Sequence, residues 1–252
     1  MREQSKIFLL LVVVLAIVIG YAVVPGEVSF GKFSLKKINL TQLRKADKTD
    51  SVALAKRKEK KLYRRNQTFL FIGDSMVEGL SRRLGDYAGE NGHKLYTVIW
   101  YGSTTEKWAN SQTIEHFIKQ YKPTYILLCL GSNELFINDL DAREANIKAI
   151  VAKLGNYPYV WISPASWNGD TGIINLMKKH TRQGCFFDSR GLKLKRGPDR
   201  YHPTWKAAAL WLNKVVAFMG SSKAACPVVL KTPKQHHKAT NTKLLQPSFK
   251  GF

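Results

Sequence analysis

The chain has 252 residues, and its 40 Lys and Arg against 18 Asp and Glu give a formal net charge of +22. Hydrophobic residues make up 44% and charged residues 23%, which excludes a wholly disordered chain and allows one proper core. The excess positive charge predicts an anionic neighbour: nucleic acid, a phospholipid surface or an acidic polymer. Most of that charge lies in residues 1–67 and 231–252, a pattern of tails near a surface, so no nucleic-acid partner is expected.

Residues 7–24 are 18 consecutive uncharged and nearly all apolar residues. As a helix they would span about 27 Å, enough to cross a hydrocarbon core. We therefore interpret residues 1–24 as an uncleaved signal anchor, in preference to a cleaved signal peptide or a buried core helix. A short N-terminal tail before a long domain favours export to the periplasmic or extracytoplasmic side, although the positive charges after the span favour the opposite orientation.

Residues 25–67 follow as a polar, basic juxtamembrane linker, which either stays solvated or contacts anionic lipid headgroups. At the other end, residues 221–252 lack apolar periodicity and are predicted to be a basic, disordered tail. The adjacent His236 and His237 in that tail have no partners at the spacing of metal ligands, and no metal or cofactor is expected.

Residues 68–220 alternate between short apolar runs and helical patterns. The five apolar runs are 68–73, 94–99, 125–130, 159–163 and 185–188. The five helical patterns are 76–91, 109–121, 140–155, 171–182 and 204–219. This alternation predicts an α/β domain, a doubly wound sheet of about five parallel strands flanked by helices.

The three cysteines are too few for a disulfide framework, and no pair has the CxxC spacing of a zinc site. Cys129 lies in the apolar run 125–130 and is predicted to be a buried thiol. A disulfide between Cys185 and Cys226 is left open by the sequence.

Polar residues follow the predicted strands, where parallel sheets bind ligands. Ser75 follows the first strand, Gly102 the second, Asn133 the third, and the segment containing Asp199 and His202 the fifth. A serine hydroxyl is a weak nucleophile until a neighbour accepts its proton, and His202 is the histidine placed for that role. Asp199, three residues earlier, can orient His202 and stabilise its protonated form. Taken singly, each residue has a structural explanation: a turn for Gly102, a helix cap for Asn133.

The segments that carry these residues are FIGDSMVEGL, the Gly102 loop, LGSNE and DRYHP. In this order they resemble the four signature blocks of the SGNH (GDSL-type) hydrolases, over roughly residues 68–220. The resemblance implies a flavodoxin-like sheet and serine ester hydrolysis or acyl transfer by Ser75, His202 and Asp199. It also implies an oxyanion hole formed by the Ser75 N–H, the Gly102 N–H and the Asn133 amide. Glu134 departs from the aspartate usual in the third block.

The substrate is less sharply indicated. Five aromatic residues in or near these loops either stack on sugar rings or close the edge of the core: Trp100, Tyr101, Trp108, Trp167 and Tyr201. We expect removal of O-acetyl or other small acyl groups from an envelope polysaccharide or peptidoglycan, with a lipid ester as another substrate class. The alternatives are an O-acyltransferase that uses the same triad and a non-catalytic glycan-binding module. The oligomeric state is left open.

The predicted anchor can be tested by fractionation. The full chain should sediment with membranes and stay there in high salt, because apolar burial is insensitive to screening of charge. A shortened protein that begins at Thr41 should be soluble. Release of the full chain by salt alone would show that basic residues hold it at the membrane instead.

Overall fold

In the computed structural model, the described residues are 2–23, 28–30, 33–35, 66–166, 168–237 and 241–252. The chain divides into two compact units, residues 1–56 and 57–252. The first unit contains a helix, α1 (Arg2–Val23), and an antiparallel pair of short strands, β1 (Val28–Phe30) and β2 (Phe33–Leu35). The predicted linker therefore begins with a hairpin, while its residues 36–65 lie outside the described part.

The apolar segment of the first unit lies almost entirely within α1. Across the described stretches of the chain, no helix combines the length and the apolar character needed to cross a membrane.

The second unit contains alternating strands and helices. In chain order they are β3 (Thr68–Gly73), α2 (Val77–Glu90), β4 (Lys94–Trp100), α3 (Thr105–Ala109), α4 (Thr113–Tyr121), β5 (Tyr125–Cys129), α5 (Leu140–Leu154), β6 (Tyr159–Ile162), α6 (Ile173–His180), β7 (Phe186–Phe187), α7 (Trp205–Met219) and β8 (Thr242–Leu245). Among these residues, six strands pair in parallel in the order β7-β6-β5-β3-β4-β8. The predicted α/β class with a doubly wound parallel sheet is thus confirmed.

Both faces of the sheet are buried, as β3 shows. Phe69 and Phe71 point to one face, in a cluster with apolar residues of α2 and α7. Leu70 and Ile72 point to the other, in a cluster with residues of α3, α4, α5 and α6. All four side chains are fully buried, which explains why β3 has a continuous apolar sequence instead of an alternating one.

The strand order places a topological switch beside β3. The chain passes from β3 to β4 on one side and then crosses to β5 on the other side of β3. The loops after β3 and β5 consequently diverge and leave a crevice at the carboxyl ends of these strands. The residues after Gly73 and Cys129 are therefore at the position where such folds bind ligands.

The predicted helix over residues 109–121 is two helices, α3 and α4. The Thr104 side chain accepts a hydrogen bond from the Lys107 N–H and begins α3 earlier than expected. The helical path stops after Ala109, and α4 begins at Thr113. Just before α4, the Gln112 N–H donates to the Phe252 carbonyl, 2.8 Å away, at the C-terminus.

The prediction of a disordered tail over residues 221–252 is wrong for the residues that form β8. This strand pairs with β4, placing Leu245 opposite Trp100. Leu245 is buried, and the Phe249 ring packs edge-on against Trp100 with ring centroids 5.1 Å apart. The strand was not predicted because residues 221–252 are mostly polar and only a few apolar side chains provide its packing.

All three cysteines are free thiols in the structure. Cys129 is buried, as predicted, and burial raises the pKa of its thiol well above the usual range. The residues just before Cys185 and Cys226 are hydrogen-bonded to each other, since the Ala225 N–H donates to the Gly184 carbonyl at 2.9 Å. The two cysteines themselves are not joined by a disulfide.

The role of β8 can be tested with two adjacent leucines. Leu245→Ala should lower the free energy of unfolding by about 2 kcal/mol, because it leaves a cavity in the core. Leu244→Ala is the control, since this side chain is 49% exposed and its loss should change stability by less than about 0.5 kcal/mol. Denaturant unfolding measures both. Equal stability of the two variants would contradict the sixth strand.

Candidate active site

Strand β3 leads to Ser75 in the crevice through a closely packed turn. A Cβ atom on Gly73 would lie 2.0 Å from the Cys129 carbonyl oxygen, so only glycine fits where β3 passes β5. The next residue, Asp74, is fully buried, and its backbone N–H donates to the same carbonyl at 3.0 Å. Ser75 then lies two residues before the start of α2 at Val77.

The Asp74 carboxylate ties the loops after β3 and β5 together. Its Oδ1 accepts the Met76 N–H at 3.0 Å, and its Oδ2 accepts the Ser132 N–H at 3.1 Å and the Ser132 hydroxyl at 2.7 Å. Burial raises the pKa of Asp74, while these hydrogen bonds act in the opposite direction. Asp74 therefore fixes the backbone on both sides of the crevice in which Ser75 lies.

Ser75, His202 and Asp199 form a continuous chain of hydrogen bonds. The distance from Ser75 Oγ to His202 Nε2 is 2.8 Å, and that from His202 Nδ1 to Asp199 Oδ2 is 2.6 Å. The other Asp199 oxygen accepts the Tyr201 and His202 N–H groups, each at 3.0 Å. The hydrogen bond from His202, together with these backbone bonds, lowers the pKa of Asp199 to about 2. At neutral pH Asp199 is therefore a carboxylate that can stabilise an imidazolium.

The loop that carries the histidine is held from outside the site. Arg196 donates to the Tyr201 carbonyl at 2.6 Å and to the Ala165 carbonyl. After Pro203, the Thr204 side chain accepts the Ala207 N–H and caps α7. The loop and the helix together fix the direction of His202.

The three predicted oxyanion donors lie at neighbouring strand ends. Neither the Ser75 N–H nor the Gly102 N–H has a hydrogen-bond partner among the described residues, so both remain available to a ligand. Gly102 has a φ of +61°, a left-handed conformation that favours glycine. The Asn133 amide donates one hydrogen to the Ser103 carbonyl at 2.8 Å, and its second hydrogen is free for another acceptor.

Glu134 has a structural role that sequence reasoning did not identify. Its buried carboxylate accepts the Thr105 N–H at 2.6 Å and the Thr105 hydroxyl at 2.8 Å, and it pairs with Arg143 at 3.2 Å. Burial raises the pKa of Glu134, and the contacts with Thr105 and Arg143 oppose that shift. The residue thus joins the turn that bears Asn133 to α3 and α5.

The aromatic residues of these loops divide into two groups. Trp100 and Trp108 are fully buried and pack against each other with ring centroids 5.3 Å apart, so they belong to the core. Tyr201 is exposed. Tyr101 is half-buried and donates its hydroxyl to Glu78 at 3.0 Å. Trp167 lies outside the described residues.

A cavity of about 210 Å³ adjoins the reactive atoms. Its lining residues include Ser75, His202, Glu78 and Trp205. Trp205, which sequence reasoning missed, is 55% exposed. The sequence signal that could have identified Trp205 is its position three residues after His202. The cavity has room for a small acyl group next to Ser75. Within the described residues, no group of three or more His, Cys, Asp or Glu is placed to hold a metal ion.

Comparison with known proteins gives structural similarity alone. No family model matches the sequence, and no curated protein matches it. A solved structure assigned to the lipolytic G-D-S-L family, from Desulfitobacterium hafniense DCB-2, is 15% identical with a TM-score of 0.45; the match covers 61% of this chain and 99% of that one. A carbohydrate acetylesterase from Sinorhizobium meliloti is 14% identical with a TM-score of 0.45, covering 60% and 99%.

A third structure, the anti-anti-sigma factor PhyR from Bartonella quintana, is 14% identical with a TM-score of 0.29, covering 71% of this chain and 59% of that one.

The buried role of Glu134 gives a testable prediction. Glu134→Ala should lower the free energy of unfolding by about 3 kcal/mol, because it leaves Arg143 partly uncompensated. Glu106→Ala removes the other carboxylate that contacts Arg143, but that side chain is 55% exposed, so less than about 1 kcal/mol should be lost. Denaturant unfolding compares the variants. A larger loss of stability for Glu106→Ala than for Glu134→Ala would show that Glu106, and not Glu134, is the main acidic partner of Arg143.

Proposed function

We propose that this chain is a serine ester hydrolase of the SGNH type. The observation that carries the proposal is the hydrogen-bonded chain from Asp199 through His202 to Ser75. A serine in this arrangement can lose its proton to the imidazole while it attacks an acyl carbon. The four sequence blocks supply these residues together with Gly102 and Asn133, and the crevice beside β3 provides the site.

In the first step Ser75 Oγ bonds to the ester carbonyl carbon, and His202 Nε2 takes the hydroxyl proton. Asp199 stabilises the imidazolium that results. The carbonyl oxygen becomes an anion that the Ser75 N–H, the Gly102 N–H and the Asn133 amide stabilise. The C–O bond to the alcohol then breaks, and the alcohol leaves with the proton from His202. In the second step water attacks the acyl-serine, His202 takes its proton, and the acid is released as Ser75 recovers its hydrogen.

Hydrolysis is supported over acyl transfer by the exposure of the site. The side chains of His202 and Asp199 are 45% and 48% exposed, so water reaches the imidazole directly. A transferase must hold a second hydroxyl there in place of water. The alternatives are an O-acyltransferase and a glycan-binding module, and the experiments described next separate both from hydrolysis.

The substrate we propose is an O-acetylated, or otherwise acylated, envelope polysaccharide or peptidoglycan. A 210 Å³ cavity suits a small acyl group better than a long lipid chain. The exposed rings of Trp205 and Tyr201 are flat apolar surfaces of the kind on which sugars stack.

We propose in addition that residues 7–24 anchor the protein and that the hydrolase unit acts on the extracytoplasmic side. The support comes from the sequence of this segment and from the exposed apolar side chains of residues 7–15. Side chains of this kind require an apolar surrounding. A reporter fused to the C-terminus that is active only in the cytoplasm would contradict export.

The catalytic roles predict an order of damage among four variants. Ser75→Ala should abolish both labelling by a fluorophosphonate probe and hydrolysis of a small aryl acetate. His202→Ala should do nearly the same, because the hydroxyl then keeps its proton. Asn133→Ala should fold, label slowly and lose about 3 kcal/mol of transition-state stabilisation. Asp199→Ala should be intermediate, since Asp199 takes no proton itself.

Two outcomes would contradict these assignments. Wild-type hydrolysis by a folded Ser75→Ala variant would show that another group is the nucleophile. Glycan binding without ester hydrolysis by the wild-type protein would favour the binding module. Mass spectrometry of an acetylated glycan, incubated with and without a second acetyl acceptor, separates hydrolysis from transfer.

A further inference from the structure

A second and larger cavity lies next to the Ser75 cavity. Its volume is about 500 Å³, and Gly79 and Trp205 line both cavities. We call this second space the side cavity; its other walls include Arg82, Arg83 and Asp86 of α2. Because Gly79 and Trp205 border both cavities, the side cavity is adjacent to the place where an ester would lie at Ser75.

The shared wall is held in a fixed position by the packing of two helices. A Cβ atom on Gly79 would lie 2.8 Å from the Ala208 Cβ, so the absence of a side chain lets α2 approach α7 closely. Trp205 stands in the first turn of α7. The distance between the two cavities is therefore set by the core and not by a mobile loop.

The charges in the side cavity leave one arginine available. Arg83 pairs with Asp86 at 3.1 Å and donates to Asn213 at 3.0 Å. Asp86 also accepts the His237 N–H and contacts His236. The acid in the wall is thus fully engaged by neighbours.

Arg82, by contrast, has no acidic partner among the described residues, and its guanidinium lies over the Trp205 ring, 4.3 Å from the centroid. The two arginines, Arg82 and Arg83, outnumber the one acid of the lining, Asp86, so the lining carries a net positive charge.

An exposed indole beside an unpaired guanidinium is a combination with a defined ligand chemistry. The part of the Trp205 ring that Arg82 leaves exposed offers apolar surface to a sugar, and a guanidinium binds a carboxylate through two parallel hydrogen bonds. Neither a lipid tail nor a neutral sugar would use the charge of the Arg82 guanidinium.

We infer that the side cavity binds a sugar residue that carries a carboxylate, next to the acylated residue whose ester lies at Ser75. The inference rests on the proposed function for the identity of the polymer. It makes the substrate an acidic glycan, in which the carboxylate at Arg82 positions the neighbouring ester for attack.

Binding to the full chain in detergent, in the Ser75→Ala background, tests the inference without turnover. The probes are a non-acetylated oligogalacturonate and the neutral oligogalactan of equal length, and calorimetry measures the dissociation constants. The acidic probe should bind more tightly. Arg82→Gln should weaken its binding about tenfold, the effect of losing one charged hydrogen-bond pair, and should leave the neutral probe unchanged.

Lys119→Gln is the matched control. It removes the same charge from an exposed position on α4, on the opposite face of the sheet, and should not alter binding. Equal affinity for the two probes, or no effect of Arg82→Gln, would overturn the inference. Displacement of the oligogalacturonate by an equal concentration of inorganic phosphate would overturn recognition of the sugar, because it would show a general anion site.

Failure of the proposed function has a separate readout. Hydrolysis of an aryl acetate and labelling of Ser75 are measured on the wild-type protein and need no glycan. An inert Ser75 together with Arg82-dependent binding would reject the hydrolase and retain the acidic-glycan site. An active Ser75 without preference for the acidic probe would reject the site and retain the hydrolase.

Discussion

The site depends on a carboxylate that takes no part in the proposed chemistry. Asp74 is fully buried and accepts hydrogen bonds from Met76 and from two groups of Ser132. A buried acid that lost these donors would carry a large desolvation cost, so the loops after β3 and β5 are held in one arrangement. Ser75 lies within the first of these loops and Asn133 within the second. Their separation is thereby fixed by an interaction outside the reacting groups.

The side chains of the site differ in their exposure to solvent. Asp74 and Glu134 are buried and hold backbone, whereas Asp199 and His202 are about half-exposed and can exchange protons with water. This difference in exposure suits the proposed hydrolysis, because the loops must be held rigidly while water must still reach His202. The proposed glycan site at the exposed Trp205 and Arg82 would extend the same surface.

The sequence was sufficient for the parts of the fold that depend on local pattern. Five apolar runs predicted five of the six sheet strands, and the rule that ligands bind at strand ends brought Ser75 and His202 together although 127 residues separate them. Parts that depend on distant partners were missed. The burial of Glu134 requires Arg143 from α5, and the side cavity requires the close approach of α2 to α7 at Gly79. No local pattern encodes either contact.

The sixth strand has a consequence for how the domain is made. Leu245 of β8 pairs with Trp100 of β4, and Phe252, seven residues further on, accepts a hydrogen bond from Gln112. Before β8 has been synthesised and has paired, β4 is an edge strand of the sheet and can pair with strands of other chains. Contacts so distant in sequence also close slowly. The sheet is therefore complete only once β8, the last of its described strands in chain order, has paired with β4.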